Sequence, residues 1–486
     1  MTVVTRRRLW VVMAIMGVAV AAWCAPGAWA RATYGARVTA DEPQYLLSAL
    51  SLAEDQGLDI ADERAEGRFR DFHEASLPLQ EKTQADGSRV SPHDPLLPVL
   101  LAAPMGIGGW LAAKLLLAAL AGVLAAALVW VAVRRFDVPI GIAALTVATF
   151  ALAAPFAVYG TQVYPELAAA LAVTVAVGAL TGPLTRRGLV VLVVAVVVLP
   201  WLSVKYAPVA VALVGLGAWR CWRRGDRRAV LVGAGVLALA GAVFLVAHQA
   251  LYGGWTPYAA GDHFVGGELT VSGTDPDYLG RSVRLLGLLV DRGFGLAAWQ
   301  PAYLLAIPAF AALAVRRPRG WAVLAVPLAV GWLNATFVAL TMHGWWWPGR
   351  QLVVVLPCAV LGIAWWAARS RGAVIAVAVG CALGALTFAW LLVDVVGGHN
   401  TLIVDFERTT NPLVRAWREV LPEGRLVPAG TDALRLAWLA VLALLGWWGV
   451  RSVGRGRRDR STPMTAPPSE AIVTQPNGTS LERSLV

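Results

Sequence analysis

Apolar residues gather in this chain into unbroken runs of about 20, and short polar stretches separate one run from the next. A helical run of that length rises far enough, at about 1.5 Å per residue, to cross the hydrocarbon layer of a membrane. The first run, Leu9 to Ala30, is headed by Arg6-Arg7-Arg8. The others are predicted at about 110–133, 138–157, 163–182, 188–202, 204–220, 229–251, 296–315, 320–340, 351–367, 372–394 and 433–450. Together they make about twelve spans, an all-α polytopic membrane protein. Pro200 and Pro208 interrupt 188–220, which reads either as two spans or as one kinked helix with a re-entrant piece. Ala28-Trp29-Ala30 has small-x-small character, so a cleaved signal peptide is the alternative for the first run.

The longest polar interval falls early, in a first loop of about 31–109. Inside it, Tyr45, Leu46, Ala49, Leu50 and Ala53 recur at helical spacing, which predicts a short amphipathic helix over Pro43 to Gln56 on the membrane surface or on neighbouring spans. Leu96 to Met105 is apolar but too short to span, and reads as a re-entrant or interfacial helix. Residues 1–450 form one transmembrane domain, and 451–486 read as a disordered cytoplasmic tail. The Asn477-Gly478-Thr479 sequon lies in that tail and carries no weight. No internal repeat is evident.

Composition agrees with this pattern. The chain has 486 residues, 58% of them hydrophobic, and a mean hydropathy of +0.63. A single soluble core does not grow to need so much apolar surface. The net charge of +11 does not point to nucleic acid, because the basic residues sit in short clusters between runs. Arg134-Arg135, Arg186-Arg187, Arg220 to Arg228, Arg316 to Arg319, Arg369 to Arg371 and Arg451 to Arg460 all fall on one predicted side. That is the positive-inside pattern, with both ends cytoplasmic and the first loop outside. The arginine and alanine bias suggests a bacterial, GC-rich source. Cys24, Cys221, Cys358 and Cys381 lie in spans or at a cytoplasmic end, and no disulfide is expected.

Few residues are left to carry chemistry. Asp41-Glu42-Pro43 stands where the chain leaves its first span, and an Asp in that place could equally be a helix cap. Lys82, Lys114 and Lys205 are the only lysines, and Lys114 and Lys205 fall near the outer ends of predicted spans. Snorkelling would explain either one. In a chain that otherwise prefers arginine, they also suit a compact charge for a phosphate. His343, Trp346 and Arg350 belong to one outward-facing turn, read as an aromatic belt or as a lip for sugar and phosphate. Tyr164 and Glu166 open a span, where an acid complements the helix dipole or faces a cavity. His93, Asp94, Asp262 and His263 are candidate ligands for a divalent metal. Asp275-Pro276-Asp277 reads as a solvated turn. No phosphate-binding glycine motif opens a helix.

The order of these features resembles the GT-C glycosyltransferases. An arginine-headed span, then Asp41-Glu42 with Tyr45, then a long loop ending in Pro92-His93-Asp94-Pro95, is most similar to the branch of the protein O-mannosyltransferases and lipid A aminoarabinose transferases. The specific match covers about residues 1–135. The family often reads His-Pro-Pro where this chain has His93-Asp94-Pro95, which leaves the role of Asp94 open. The resemblance implies a membrane glycosyltransferase that moves a sugar from a polyprenyl-phosphate donor to an extracytoplasmic glycan, lipid or protein, at the outer face of the cytoplasmic membrane. On that reading Asp41 is the base and Glu42 orients it or the acceptor. Lys114, Lys205 and Arg350 hold the donor phosphate. Tyr45, His93, Asp94, Tyr164, Glu166, His343 and Trp346 face acceptor or sugar. The rival readings are a twelve-span transporter and a lipid-linked glycan flippase or ligase. Against them, the long loop comes first and the charges cluster towards the outer side.

Overall fold

The computed structural model describes residues 6–424 and 431–454. The predicted tail beyond 454, with its sequon, lies outside the described residues. Within them the chain is helical, and β-pairing is confined to isolated bridges such as Ala36 with His73 and Glu81 with Gly261.

Every predicted span falls on a helix. Six helical stretches are long and apolar enough to cross a membrane by themselves, namely Arg6–Trp29, Leu96–Arg135, Arg227–Ala260, Trp321–Val338, Arg371–Val396 and Asp432–Val453. Ile140–Ala151, Glu166–Thr181, Pro301–Arg316 and Leu356–Ala367 are shorter. A twelve-residue helix rises only about 18 Å. Such a helix with irregular ends is tolerable at membrane depth where protein surrounds it. All of Leu356–Ala367 is buried in the chain.

The doubtful stretch resolves into two helices, Arg186–Leu202 and Ala207–Arg223. Ser203 is extended (φ −165°) and Val204–Tyr206 forms a 3₁₀ turn. Lys205 stands in that break. Leu96–Arg135 is continuous except at Gly108 and Gly109, where Gly109 takes φ +63° and ψ −159°. That glycine separates the short apolar piece from the span, as the pattern predicts.

The Glu42–Glu54 helix differs from its expected amphipathic character. Every residue from Glu42 to Ser51 is buried, not one face only. Its polar positions Gln44, Ser48 and Ser51 are buried too, and the helix packs chiefly on Leu96–Arg135 and also on Ala61–Ala65 and Arg68–Asp71.

The arginines and the first loop occupy opposite helix ends. Leu96–Arg135 starts beside His93-Asp94 and ends at Arg134-Arg135. Arg186–Leu202 starts at Arg186 and ends beside Lys205, from which Ala207–Arg223 returns to an arginine end.

Candidate active site

Several helix starts converge below the first loop. Asp41 precedes Glu42–Glu54, Asp94-Pro95 precedes Leu96–Arg135, and Glu166 opens Glu166–Thr181. Helix N-termini favour negative charge, so three carboxylates share a region that calls for cations. Arg350 supplies one, from a 3₁₀ turn that follows Gly349 at φ +84°. Lys205 supplies the other.

The four charges of one network are arranged in a line. Arg350 donates from one terminal nitrogen to Asp41 Oδ2 at 2.7 Å and from Nε to Glu166 Oε1 at 3.0 Å. Lys205 Nζ donates to the same Glu166 oxygen at 2.8 Å. The guanidinium carbon of Arg350 also lies 4.0 Å from the ring centre of Tyr164 and 5.2 Å from that of Trp346. Two cations balance two carboxylates. Asp41 makes no capping hydrogen bond with its side chain, so its carboxylate serves the site and not the helix start. Burial opposes its ionisation, but Arg350 and His93 outweigh that and hold its carboxyl well below the usual carboxylate range.

His93 leans on this network. Its Nε2 is 3.7 Å from Asp41 Oδ2, its Nδ1 is 2.8 Å from Ser91 Oγ, and its ring centre lies 4.6 Å from that of Tyr45. Asp94 points the other way, accepting from the Val204 amide at 2.9 Å and facing His248 Nε2 at 3.1 Å. These groups line one cavity of about 880 Å³. Asp41, Tyr45, His93, Asp94, Lys205 and Arg350 form its polar wall, while Trp255, Tyr258, Phe264 and Leu340 give it apolar and aromatic surface. Glu166 lies behind the two cations, fully buried.

Some expected residues stand elsewhere. Glu42 does not face the cavity: its two oxygens accept from the Thr39 amide at 3.0 Å and the Val163 amide at 2.7 Å. It therefore ties the Asp41 turn to the loop that carries Tyr164 and Glu166. Burial pushes its carboxyl up, against the pull of Lys114 and both amides. Lys114 is 2% exposed, donates to the Arg37 carbonyl at 3.0 Å and does not line the cavity. His343 faces a separate space of about 230 Å³, with Nε2 3.9 Å from Asp291. Trp346 touches Arg350 from outside the cavity wall. Of the proposed metal ligands, His93, Asp94 and His263 line the cavity, but with Asp262 they do not gather into a group of three ligand atoms within 4.8 Å. Asp277 of the Asp275-Pro276-Asp277 turn accepts from the Gly280 amide at 2.7 Å as a local cap.

His248 is the residue that sequence reasoning passed over. It is fully buried in Arg227–Tyr252 and holds Asp94. The signal was available, since an ionisable side chain within an apolar span is a site candidate by default.

Comparison with known proteins gives the fold. No family model matches the chain. No curated protein sequence matches it either. Among solved structures, a crystal structure of ArnT from Cupriavidus metallidurans bound to undecaprenyl phosphate aligns with a TM-score of 0.52, over 91% of this chain and 76% of that one, at 14% identity. The chain therefore has the all-helical, polytopic fold that the GT-C resemblance implied.

Proposed function

We propose that this GT-C-fold chain is a membrane glycosyltransferase that takes a sugar from a polyprenyl-phosphate donor and passes it to an acceptor hydroxyl. The observation that carries this reading is the Asp41–Arg350–Glu166–Lys205 line, which puts Asp41, Arg350 and Lys205 on the wall of the cavity with Glu166 behind them. It sets a carboxylate beside two cations, the combination that a displacement at a sugar phosphate requires. The structural likeness to an undecaprenyl-phosphate-bound protein supports the choice of donor.

In this mechanism the donor phosphate takes Arg350 and Lys205. Both cations are held together on Glu166, so positive charge is assembled before charge builds on the leaving oxygen. The acceptor oxygen attacks the anomeric carbon as the bond from that carbon to the phosphate oxygen breaks. The proton of the acceptor goes to Asp41. Polyprenyl phosphate leaves as a monoester, and one direct displacement inverts the anomeric centre. Moving Arg350 towards the phosphate loosens its grip on Asp41, which makes Asp41 a better base when the donor is present. Glu42, Asp94 and His248 act as positioning residues, and Lys114 has no part in phosphate binding.

The arginine ends of the helices lie opposite the cavity, and positive-inside orientation then opens the cavity to the outer face. Nucleotide sugars are absent there, which favours a lipid-linked donor.

The test uses full-length protein in lipid nanodiscs, given a panel of purified polyprenyl-phosphate sugars and cell-envelope acceptors. Expected is release of polyprenyl phosphate together with sugar on the acceptor, lost in Arg350→Ala. Movement of an intact substrate across proteoliposomes, with no bond cleavage, would replace this reading by a transporter.

A further inference from the structure

A second group of carboxylates lies at the far end of the Glu42–Glu54 helix. Asp55, Asp62 and Glu63 each bring a ligand oxygen within 4.8 Å of the other two. Asp55 and Asp62 are exposed, but Glu63 is only 2% exposed, its oxygens lack a well-formed hydrogen bond, and the side chains in nearest reach are the Asp62 carboxyl and the Ser51 hydroxyl. A buried carboxylate left in that state is strongly disfavoured.

None of the neighbouring side-chain cations pairs with the group, although Arg64 keeps one terminal nitrogen without a partner. Arg64 pairs with Glu81 at 3.1 Å and donates to the Leu77 carbonyl at 3.0 Å. Arg68 pairs with Glu54 at 2.7 Å and with Glu66 at 3.8 Å. Ser51 gives its hydroxyl proton to the Asp59 carbonyl at 2.6 Å. Asp59 itself accepts from the amides of Ala61 and Arg89. No ion pair among the described residues involves Asp55, Asp62 or Glu63. Carboxyl groups that face one another need positive charge between them, either a shared proton or a metal ion. Burial and the neighbouring Asp62 push the Glu63 carboxyl up to about 8, which describes the proton alternative.

We propose that Asp55, Asp62 and Glu63 form a binding site for a hard divalent cation, with calcium the best fit. The ligands are all oxygen, which selects against zinc and the softer metals. Two of them are exposed and come from the ends of different helices, so the shell is irregular and open to water. Calcium accepts such a shell, whereas magnesium demands near-ideal octahedral geometry. The cation ties Asp55, the residue that caps the C-terminus of the Glu42–Glu54 helix, to the short Ala61–Ala65 helix. It thereby fixes the helix whose other end carries Asp41. The site does not depend on which reaction the cavity performs.

The experiment uses the full chain in detergent, stripped with EDTA, and follows thermal unfolding and titration calorimetry with calcium chloride and then magnesium chloride. Calcium should raise the melting temperature by a few degrees, with a dissociation constant of about 10⁻⁴–10⁻³ M, the range of extracellular sites. Asp55→Asn removes an exposed ligand without touching packing and should weaken calcium binding roughly tenfold or more. Glu63→Gln can hydrogen-bond to Asp62 and should fold without any calcium response. The proposal is overturned if calcium leaves the wild-type melting point unchanged, if Glu63→Gln is stabilised while the wild type ignores calcium (a shared proton only), or if both variants respond like the wild type.

Discussion

Arg350 and Asp41 are paired at 2.7 Å across 309 positions of sequence, so the candidate phosphate-binding cation and the candidate base are held by each other. Arg350 reaches Glu166 as well, with a different nitrogen. A lysine has one charged centre and cannot reproduce that fork. Arg350→Ala leaves Asp41 with only His93 beside it and Glu166 with only Lys205, and removing one partner of a buried pair typically costs about 3–5 kcal/mol. Expected is a clearly lower melting temperature and no transfer. Arg350→Lys should recover much of the stability but little of the transfer. Wild-type transfer by Arg350→Lys would show that charge alone is sufficient at this position, and wild-type transfer by Arg350→Ala would remove Arg350 from the donor site.

Lys205 and Lys114 separate two roles that sequence alone assigned together. Lys205→Ala should raise the donor KM, with a loss of about 2–5 kcal/mol in kcat/KM as for a truncated charge pair. Lys114→Ala should leave the donor KM near wild type and lower the melting temperature, because it removes the donor to the Arg37 carbonyl and the cation near Glu42. A larger donor effect from Lys114→Ala than from Lys205→Ala would reverse the assignment.

Much of the fold and part of the site could be read from the sequence. Apolar run length located every span, and the Pro200 and Pro208 break marked the place where Lys205 leaves helical packing. Asp41 stood out where the chain leaves its first span, His93 at the end of the first loop, and Arg350 on a short aromatic turn between two spans. Helical spacing could not show that Lys114 turns inward to a loop carbonyl. It also could not show that Glu42 spends both oxygens on backbone amides, one of them 121 positions away. Those are long-range contacts with no local signature. His93 is legible because it stands beside prolines and an acid, whereas His248 lies inside an apolar span with neither beside it to mark it.

His248→Phe should therefore damage the site from below. It takes away the ring nitrogen facing Asp94 Oδ1 and leaves that buried carboxylate only the Val204 amide. A loss of about 1–3 kcal/mol in stability is expected from the unsatisfied acceptor, measured by denaturation in detergent. Transfer should fall with donor KM little changed, and Asp94→Asn in the same background should restore part of the stability. Full activity in His248→Phe would make the Asp94 contact incidental.

The depressed pKa of Asp41 fixes the sign of its pH dependence. Its carboxyl lies below the unfolded value of about 3.9. The stability it contributes is then fully present above about pH 4 and is lost only as pH falls further, through the folded pKa. The difference in stability between wild type and Asp41→Asn should be flat from about pH 5 to 8 and shrink below about pH 4. A difference that changes near pH 6 would assign the titration to another group.

Asp41→Asn is the substitution on which the catalytic reading rests. The asparagine keeps the size of the side chain and an oxygen for Arg350, but it cannot take a proton. Because Asp41 does not cap its helix, no local cost to the Glu42–Glu54 start is expected. The weakened pair with Arg350 should leave that guanidinium freer for phosphate, so donor affinity should be unchanged or tighter. Transfer should nevertheless fall by about 10²–10⁴-fold, the usual contribution of a general base. Measuring donor binding and turnover on the same preparation separates lost chemistry from lost structure. A variant that binds donor and transfers at the wild-type rate would remove Asp41 as the base and move the search along the same wall to Asp94, and behind it to Glu166. A variant that neither binds donor nor melts like the wild type would show instead that the Asp41–Arg350 pair is structural.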